Sequence, residues 1–162
     1  MERTRTSAKP AGAGSSHRGE QLFVNLMHAH EVLGAGVTEL FRDRDLTSQQ
    51  YNVLRILRGA GTGGLPTLTI RERMITRVPD ITRLLDRLEK AGLVRRVRGE
   101  EDRRVVRIEI TDEGLALLKE IDRPLRALHA RQSSHLSDRE IDTLNRLLIK
   151  LRKPHEERIQ GS

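Results

Sequence analysis

Apolar residues near the start of the chain recur at the three-and-four spacing of an amphipathic helix. This spacing predicts a helix over Glu20–Arg42 with one broad apolar face. That face consists of Leu22, Phe23, Leu26, Met27, Val32, Leu33, Val37, Leu40 and Phe41. The spacing predicts a second helix over Ser48–Arg58, for which Thr47 is a good N-cap because its hydroxyl can accept a hydrogen bond from the first turn.

Two further helices are predicted after a turn. The run GAGTGGLP at 59–66 has the composition of a turn. Thr67 can cap a short helix that follows it. Thr76 can then cap a longer helix over Arg77–Ala91, with Pro79 in its first turn.

After Gly92 the helical spacing of apolar residues ends, and apolar and charged residues alternate instead. Gly92 itself fits the left-handed position at the end of a helix. Residues 93–98 predict a short strand, GEED predicts a turn, and 103–110 predict a second strand in which apolar and charged residues alternate. Thr111 can cap the next helix, whose first turn carries two acids where the helix dipole favours them.

The last part of the chain predicts two more amphipathic helices. The first contains Pro124, where a kink is expected, and Ser137 with Glu140 forms a capping box at the start of the second. Their apolar stripes are Leu115, Leu118, Ile121, Leu125 and Leu128, and then Ile141, Leu144, Leu147, Leu148 and Leu151. The whole order predicts a mainly α fold with a small β-wing, because two short helices followed by a hairpin form a winged helix-turn-helix.

Composition limits the classes of protein to which the chain can belong. The 162 residues include 30 Lys and Arg against 23 Asp and Glu, a formal charge of +7 that favours polyanions such as nucleic acid. No stretch resembles a secretory signal or a membrane span, so we expect a cytoplasmic protein without membrane contact. The absence of cysteine excludes disulfides and cysteine-ligated zinc. Because the aromatic residues are Phe23, Phe41 and Tyr51, the chain also lacks the stacking platforms of single-strand binders.

The helix predicted over Arg77–Ala91 carries the candidate chemistry. Its apolar residues share one face, and the residues predicted to point outward are Arg77, Val78, Asp80, Thr82, Arg83, Asp86 and Arg87. The second helix of a helix-turn-helix enters the major groove, where the forked guanidinium of Arg can bond guanine at two atoms. The alternative is a solvated face on which the arginines pair with neighbouring acids. Asp86 and Arg87 remain undecided between the two.

The stretch RVPDITRLLDRLEKAGLVRR, followed by EDRR and VRIEITDEG, resembles the MarR (multiple antibiotic resistance regulator) family of bacterial transcription factors. The resemblance covers 46–114 in motif and continues to Leu151 in helix order. Its most specific part is Asp102-Arg103-Arg104, followed by alternating apolar residues and Thr-x-x-Gly. It implies a homodimer that binds a pseudo-palindromic operator in double-stranded DNA and releases it when a small molecule binds. We expect this regulator to act as a repressor.

The resemblance also implies roles for single residues. Asp102 would brace the wing by pairing with an arginine, and Arg104 would enter the minor groove, whose concentrated negative potential favours a guanidinium. The candidate DNA contacts are Thr67, Thr69, Arg77, Val78, Asp80, Thr82, Arg83, Arg87, Arg98, Arg103 and Arg104. Family members often carry Ser and Thr where Pro79 and Asp80 stand, so Asp80 would either accept a bond from cytosine or orient Arg83. For the wing, the alternative is an ordinary turn with a solvated edge strand.

The apolar stripes of the first and last two helices are too long for one winged module to cover, and a two-fold dimer would hide them. Such a dimer can hold two recognition helices about 34–36 Å apart, one turn of DNA, and predicts a dyad-symmetric site. The alternative is a monomer with a compact helical core.

A small aromatic or anionic effector is implied by the resemblance, in a pocket between the dimer helices and the winged module. Its candidate residues are Met27, His28, His30, Tyr51 and Met74. His28 and His30 do not share a helix face, which disfavours a metal sensor unless His129 or His135 joins one of them. The lack of cysteine excludes a thiol-based peroxide sensor.

An enzyme and an architectural DNA-binding protein are the two other classes of function to compare with a transcription regulator. No cofactor and no enzymatic activity are expected, because GAGTGG lacks the Lys and Ser or Thr of a phosphate-binding loop and no catalytic constellation is visible. An architectural DNA-binding protein that ignores sequence and effector is the alternative function. A ratio of specific to random DNA binding of about 10³ or more would favour the regulator.

The resulting organisation assigns a role to each part of the chain. The predicted regions are a disordered basic tail at 1–18, an N-terminal dimerisation helix at 19–45, a DNA-binding winged helix-turn-helix at 46–110, C-terminal dimerisation helices at 111–153 and a flexible tail at 154–162.

Overall fold

The structure, a computed structural model, describes residues 13–76, 78–98 and 106–160. The elements in these ranges are α1 (Ala13–Arg42), α2 (Ser48–Ala60), β1 (Leu65–Pro66), α3 (Thr67–Arg73), α4 (Ile81–Lys90), β2 (Val94–Arg98), β3 (Val106–Ile110), α5 (Asp112–Ser133) and α6 (Asp138–Gln160). This mainly helical fold with a small antiparallel sheet confirms the predicted fold class. None of the described helices is long and apolar enough to cross a membrane.

Side-chain caps begin three helices at the residues predicted for them. The Gln50 N–H donates to Thr47 Oγ1 at 3.2 Å, and the Thr47 N–H donates to Gln50 Oε1 at 2.9 Å. Ser137 and Glu140 form the same reciprocal box, and the hydrogen bonds from Ser137 lower the pKa of Glu140. Thr111 caps α5. These bonds satisfy backbone groups that the first turn of a helix leaves unpaired.

The sheet has the strand order β1–β3–β2 and is antiparallel throughout. β2 and β3 form the predicted hairpin, with Val94 opposite Ile110. β1 lies inside the run predicted as a turn and pairs Leu65 with Ile108. Gly64, at φ +58, makes this approach possible, because a Cβ there would lie 2.3 Å from the Ile108 carbonyl oxygen.

The core lies where α2, α4 and the sheet meet α5 and the end of α1. Its largest fully buried side chains are Phe41, Leu54, Leu57, Ile70, Leu85, Leu88, Ile108, Leu118, Ile121 and Val53. Each buried aliphatic side chain of this size stabilises the fold by about 1.5–3 kcal/mol. Tyr51 stacks on Phe41 with 4.4 Å between the ring centroids, and burial raises the pKa of Tyr51. The winged module therefore packs on the helical part of the same chain.

Both ends of the helical part differ from the prediction. α1 begins at Ala13, so residues 13–18 of the predicted disordered tail are helical, and residues 1–12 lie outside the described part. α6 continues through Pro154 to Gln160, across the predicted flexible tail. Extending an existing helix costs less than nucleating one, and Arg152 pairs with Glu156 one turn on, at 3.5 Å.

The start of α4 also corrects the prediction. α4 begins at Ile81 rather than at residue 77, and Asp80 caps it rather than Thr76. Val78 stands before Pro79, and the residue before a proline is disfavoured in the helical region, so the helix cannot include both. The Asp80 carboxylate accepts a first-turn backbone N–H at 3.0 Å.

Candidate nucleic-acid interface

α4 separates an apolar face from a charged one. Its buried residues are Ile81, Leu84, Leu85 and Leu88. Its exposed residues include Thr82, Arg83, Asp86 and Arg87, on the outward face that the spacing predicts. α3 and α4 are the two helices of the helix-turn-helix. The apolar face of α4 packs on the core, and its charged face is open to a partner.

Asp80 makes two contacts with Arg83 at the start of α4. Asp80 Oδ1 accepts from the Arg83 backbone N–H at 3.0 Å, and Arg83 Nε lies 3.1 Å from Asp80 Oδ2. The Arg83 side chain is nevertheless 79% exposed. The ion pair engages Nε and does not use the two terminal nitrogens of the guanidinium. Of the two alternatives for Asp80, the described contact is the one with Arg83.

Arg96 connects β2 to α4. Its Nη2 donates to Asp86 Oδ1 at 2.5 Å, its Nη1 donates to Glu89, and its backbone N–H donates to Glu89 Oε1 at 3.2 Å. The hydrogen bond to Asp86 is the main cause that raises the pKa of Arg96. This cluster was not predicted from the sequence, because its members lie on different elements. It ties the wing to α4 and balances two acids next to the exposed arginines.

Other arginines of the wing strands bond within the module. Arg95 bonds Glu109 across the hairpin at 2.7 Å, and Arg107 donates to the Gly63 and Gly64 carbonyls at 2.5 and 3.0 Å. These contacts fix β1 and β2 to either side of β3. A predicted DNA contact, Arg98, lies exposed at the end of β2.

The remaining predicted DNA contacts have different outcomes. Four residues lie outside the described ranges, and their roles stay predictions: Arg77, Asp102, Arg103 and Arg104. Val78 is partly buried and packs against the core, and its role in DNA binding stays a prediction. Thr67 and Thr69 are half-buried on α3, and Pro66 rather than Thr67 occupies the N-cap, without a side-chain bond.

The candidate effector residues are not gathered in one place within a single chain. Met27, His28 and His30 are exposed on α1, whereas Tyr51 is half-buried against Phe41. Because a helix rises 1.5 Å per residue, Phe41 lies about 17 Å along α1 from His30. Met74 is half-buried just after α3. Within 13–76, 78–98 and 106–160, no three His, Asp or Glu side chains are grouped to hold a metal ion.

Two contacts that sequence reasoning missed hold the module in place. Arg58 on α2 donates to both carboxylate oxygens of Asp122 on α5, at 2.9 and 3.1 Å. Asn52, which is buried, accepts the Ile75 backbone N–H at 2.9 Å and so anchors the segment between α3 and α4. Both join residues far apart in the chain, which local patterns do not reveal.

Comparison with known proteins gives matches to one family. The model of the MarR family matches residues 46–106. The HTH-type transcriptional regulator FarR of Neisseria gonorrhoeae is 36% identical over 60% of this chain, and PecS of Dickeya dadantii is 35% identical over 56%. These stretches cover 66% of FarR and 55% of PecS, less than two thirds of each relative. The HTH-type transcriptional repressor MdtR of Bacillus subtilis is 31% identical over 73% of this chain and 75% of MdtR.

Solved structures agree in fold. A MarR transcription factor from Planctomyces limnophilus is 39% identical, covers 89% of this chain and 98% of its own, and has a TM-score of 0.63. A mutant MarR from E. coli in complex with operator DNA is 25% identical over 82% of this chain and 91% of its own, with a TM-score of 0.67. NadR in complex with 4-hydroxyphenylacetate is 26% identical; the match covers 93% of this chain and 97% of NadR, with a TM-score of 0.65. By sequence and by fold, this chain belongs to the MarR family of transcription regulators.

Proposed function

We propose that this chain is a repressor that binds a dyad-symmetric operator in duplex DNA as a homodimer and leaves it when a small molecule binds. The exposed face of α4 carries the proposal. Thr82, Arg83 and Arg87 lie on a helix whose opposite side is buried, and the residues at the start of such a helix reach base edges in the major groove. The crystallised complex of the E. coli MarR with operator DNA supports this mode of binding.

Exposed apolar side chains support assembly with a second copy. α1 exposes Leu22, Phe23 and Val32 by 50%, 64% and 72%, and α6 exposes Leu144 and Leu147 by 48% and 49%. A shallow groove on α6, about 310 Å³ in volume, is lined by Arg139, Glu140, Thr143, Leu144 and Leu147. Apolar centres with a charged rim are typical of protein interfaces, and soluble monomers rarely expose such long stripes.

The surroundings of Tyr51 support an anionic effector at the junction of α2 and α5. Burial raises the pKa of Tyr51, whereas the charges of Arg55 and Arg58 lower it and the Asp122 carboxylate raises it. Because Arg58 is paired with Asp122, Arg55 is the candidate counter-charge for an anion. Met74 is half-buried and packs on the same core. A phenol with one nearby arginine suits a small aromatic carboxylate, the class to which the ligand of NadR belongs. We therefore place the effector at this end of the proposed pocket.

Binding to DNA tests the proposal directly. The wild-type chain would first select duplexes from a random-sequence pool, and fluorescence anisotropy would then compare a selected duplex with random DNA. We expect a ratio of about 10³ or more in favour of the selected duplex. Added 4-hydroxyphenylacetate, as the effector probe, should lower the affinity for the selected duplex.

Three variants assign the contacts. Arg83→Ala should relax base preference, because a bidentate contact to guanine is worth about 1–3 kcal/mol. Arg104→Ala should weaken binding to all duplexes without changing thermal melting. Arg146→Ala, on α6, removes the same charge and should leave both properties unchanged. A selected-to-random ratio near one would instead favour the architectural DNA-binding protein.

A further inference from the structure

The contact between Asp80 and Arg83 restricts a side chain that would otherwise move freely. Arg83 is 79% exposed, and an arginine so exposed populates many rotamers in water. Asp80 is itself held in place, because one of its carboxylate oxygens caps α4 by accepting the Arg83 backbone N–H. The other oxygen is then directed at Arg83 Nε, at 3.1 Å. The helix cap and the ion pair therefore share one carboxylate.

This geometry leaves a particular part of the guanidinium available. The Asp80 carboxylate lies 3.1 Å from Nε in an ion pair, and this attraction favours rotamers that keep Nε towards the start of α4. The two terminal nitrogens are not used in that ion pair, and each carries hydrogens that can be donated. A guanine in the major groove presents two acceptors, N7 and O6, to such a donor pair. Adenine presents one acceptor and one donor at the same edge, so it accepts one bond and opposes the second.

We propose that Asp80 is a positioning residue that makes Arg83 specific for guanine, so that each operator half-site carries a G·C pair opposite Arg83. This inference rests on the proposed function, in which α4 enters the major groove. An acid at this position would by itself repel the DNA phosphates. Pairing with Arg83 offsets that repulsion locally. Asp80 thus contributes to base discrimination rather than to total affinity.

The sharpest variant is Asp80→Asn, because asparagine is also a good N-cap and retains an oxygen that can accept the Arg83 N–H. It removes the charge that holds Nε. Glu109→Gln is the matched control, since it removes one negative charge from the same winged module but from the partner of Arg95, which is no predicted DNA contact. The probe is a duplex that the wild-type chain selects from a random pool. Each G·C pair of its half-site is replaced in turn by A·T.

The wild-type chain should discriminate against one of these replacements by about 5- to 150-fold. Asp80→Asn should reduce that discrimination by about two- to fivefold, the range of coupling between exposed ion pairs, and should bind random DNA at least as tightly as the wild type. Glu109→Gln should leave the discrimination unchanged. In an Arg83→Ala background, Asp80→Asn should have no further effect on it, which a purely structural role of Asp80 would not predict.

Two results would overturn the inference while leaving the proposed function intact. Unchanged discrimination in Asp80→Asn would mean that Asp80 is a helix cap alone. A loss confined to a cytosine position, independent of Arg83, would mean that Asp80 itself accepts a bond from the cytosine amino group. If the wild-type chain selects no duplex at all, the proposed function fails first.

Discussion

Thr111 joins the wing to α5 through several hydrogen bonds. Its hydroxyl donates to the Gly92 carbonyl at 2.7 Å and accepts from the Gly114 N–H at 3.1 Å, while its own N–H donates to the Leu93 carbonyl at 3.1 Å. The chain is drawn so close at this point that a Cβ on Gly114 would lie 2.4 Å from the Leu93 oxygen. The Thr-x-x-Gly pattern seen in the sequence therefore reflects both a helix cap and a lack of space.

Gly114→Ala should lower the free energy of unfolding by about 1–3 kcal/mol, because the added methyl group meets backbone that cannot easily move. Gly59→Ala is the control: this glycine also lies in a helix, but a Cβ there would meet nothing within 4 Å. The control should gain up to about 1 kcal/mol from helix propensity. Urea denaturation at one protein concentration measures both. Stabilisation by Gly114→Ala would show that the junction has room to adjust.

At the scale of elements, the sequence predicted correctly those features that depend on neighbouring residues, such as helix caps. Thr47, Thr111 and Ser137 cap helices as expected, because a cap depends on a few neighbouring residues. The outward face of α4 followed from its spacing. β1 and the Arg96 cluster did not, because each needs a partner brought near by the fold. The predicted start of α4 was wrong. The restriction that Pro79 places on the backbone of the preceding residue outweighed the cap expected at Thr76.

Arg96→Ala tests whether the wing and α4 act as one unit. It frees Asp86 and Glu89 from their cation, which leaves two uncompensated acids beside the proposed DNA-binding face of α4. We expect about tenfold weaker binding to the selected duplex than for the wild type, the scale of one charged hydrogen bond. Arg95→Ala is the matched control, because it removes the same charge from the same strand but pairs with Glu109 instead.

A second substitution separates charge from geometry in this cluster. If exposed acid causes the loss, Asp86→Asn combined with Arg96→Ala should recover much of the affinity. Equal losses in Arg95→Ala and Arg96→Ala would contradict a specific role for Arg96, since only net charge would then matter.

At the scale of the whole molecule, α6 is a helix with little support from its own chain. No residue from 138 to 156 is buried, and α6 makes only sparse contacts with the other described elements. Isolated helices are marginal in water, so a helix of this length needs a packing partner. The sequence predicted the apolar stripe of α6 correctly. A periodic pattern shows which face of a helix is apolar, but it does not show which residues pack against that face. For the same reason the candidate effector residues could not be brought together within one chain.

Leu147→Glu should shift the chain from the proposed homodimer to a monomer. The substitution places a charge in the centre of the α6 groove, where a second copy would have to desolvate it, whereas helix propensity is nearly unchanged. Asn145→Glu adds the same charge on α6 outside the residues that line the groove, and it should remain dimeric. Light scattering coupled to size-exclusion chromatography measures the mass of each variant across a range of concentrations. Because a dyad-symmetric operator needs two recognition helices on one particle, the monomeric variant should also lose its preference for the selected duplex over a single half-site. A dimeric Leu147→Glu would mean that other helices form the interface, and α6 would then need a different partner.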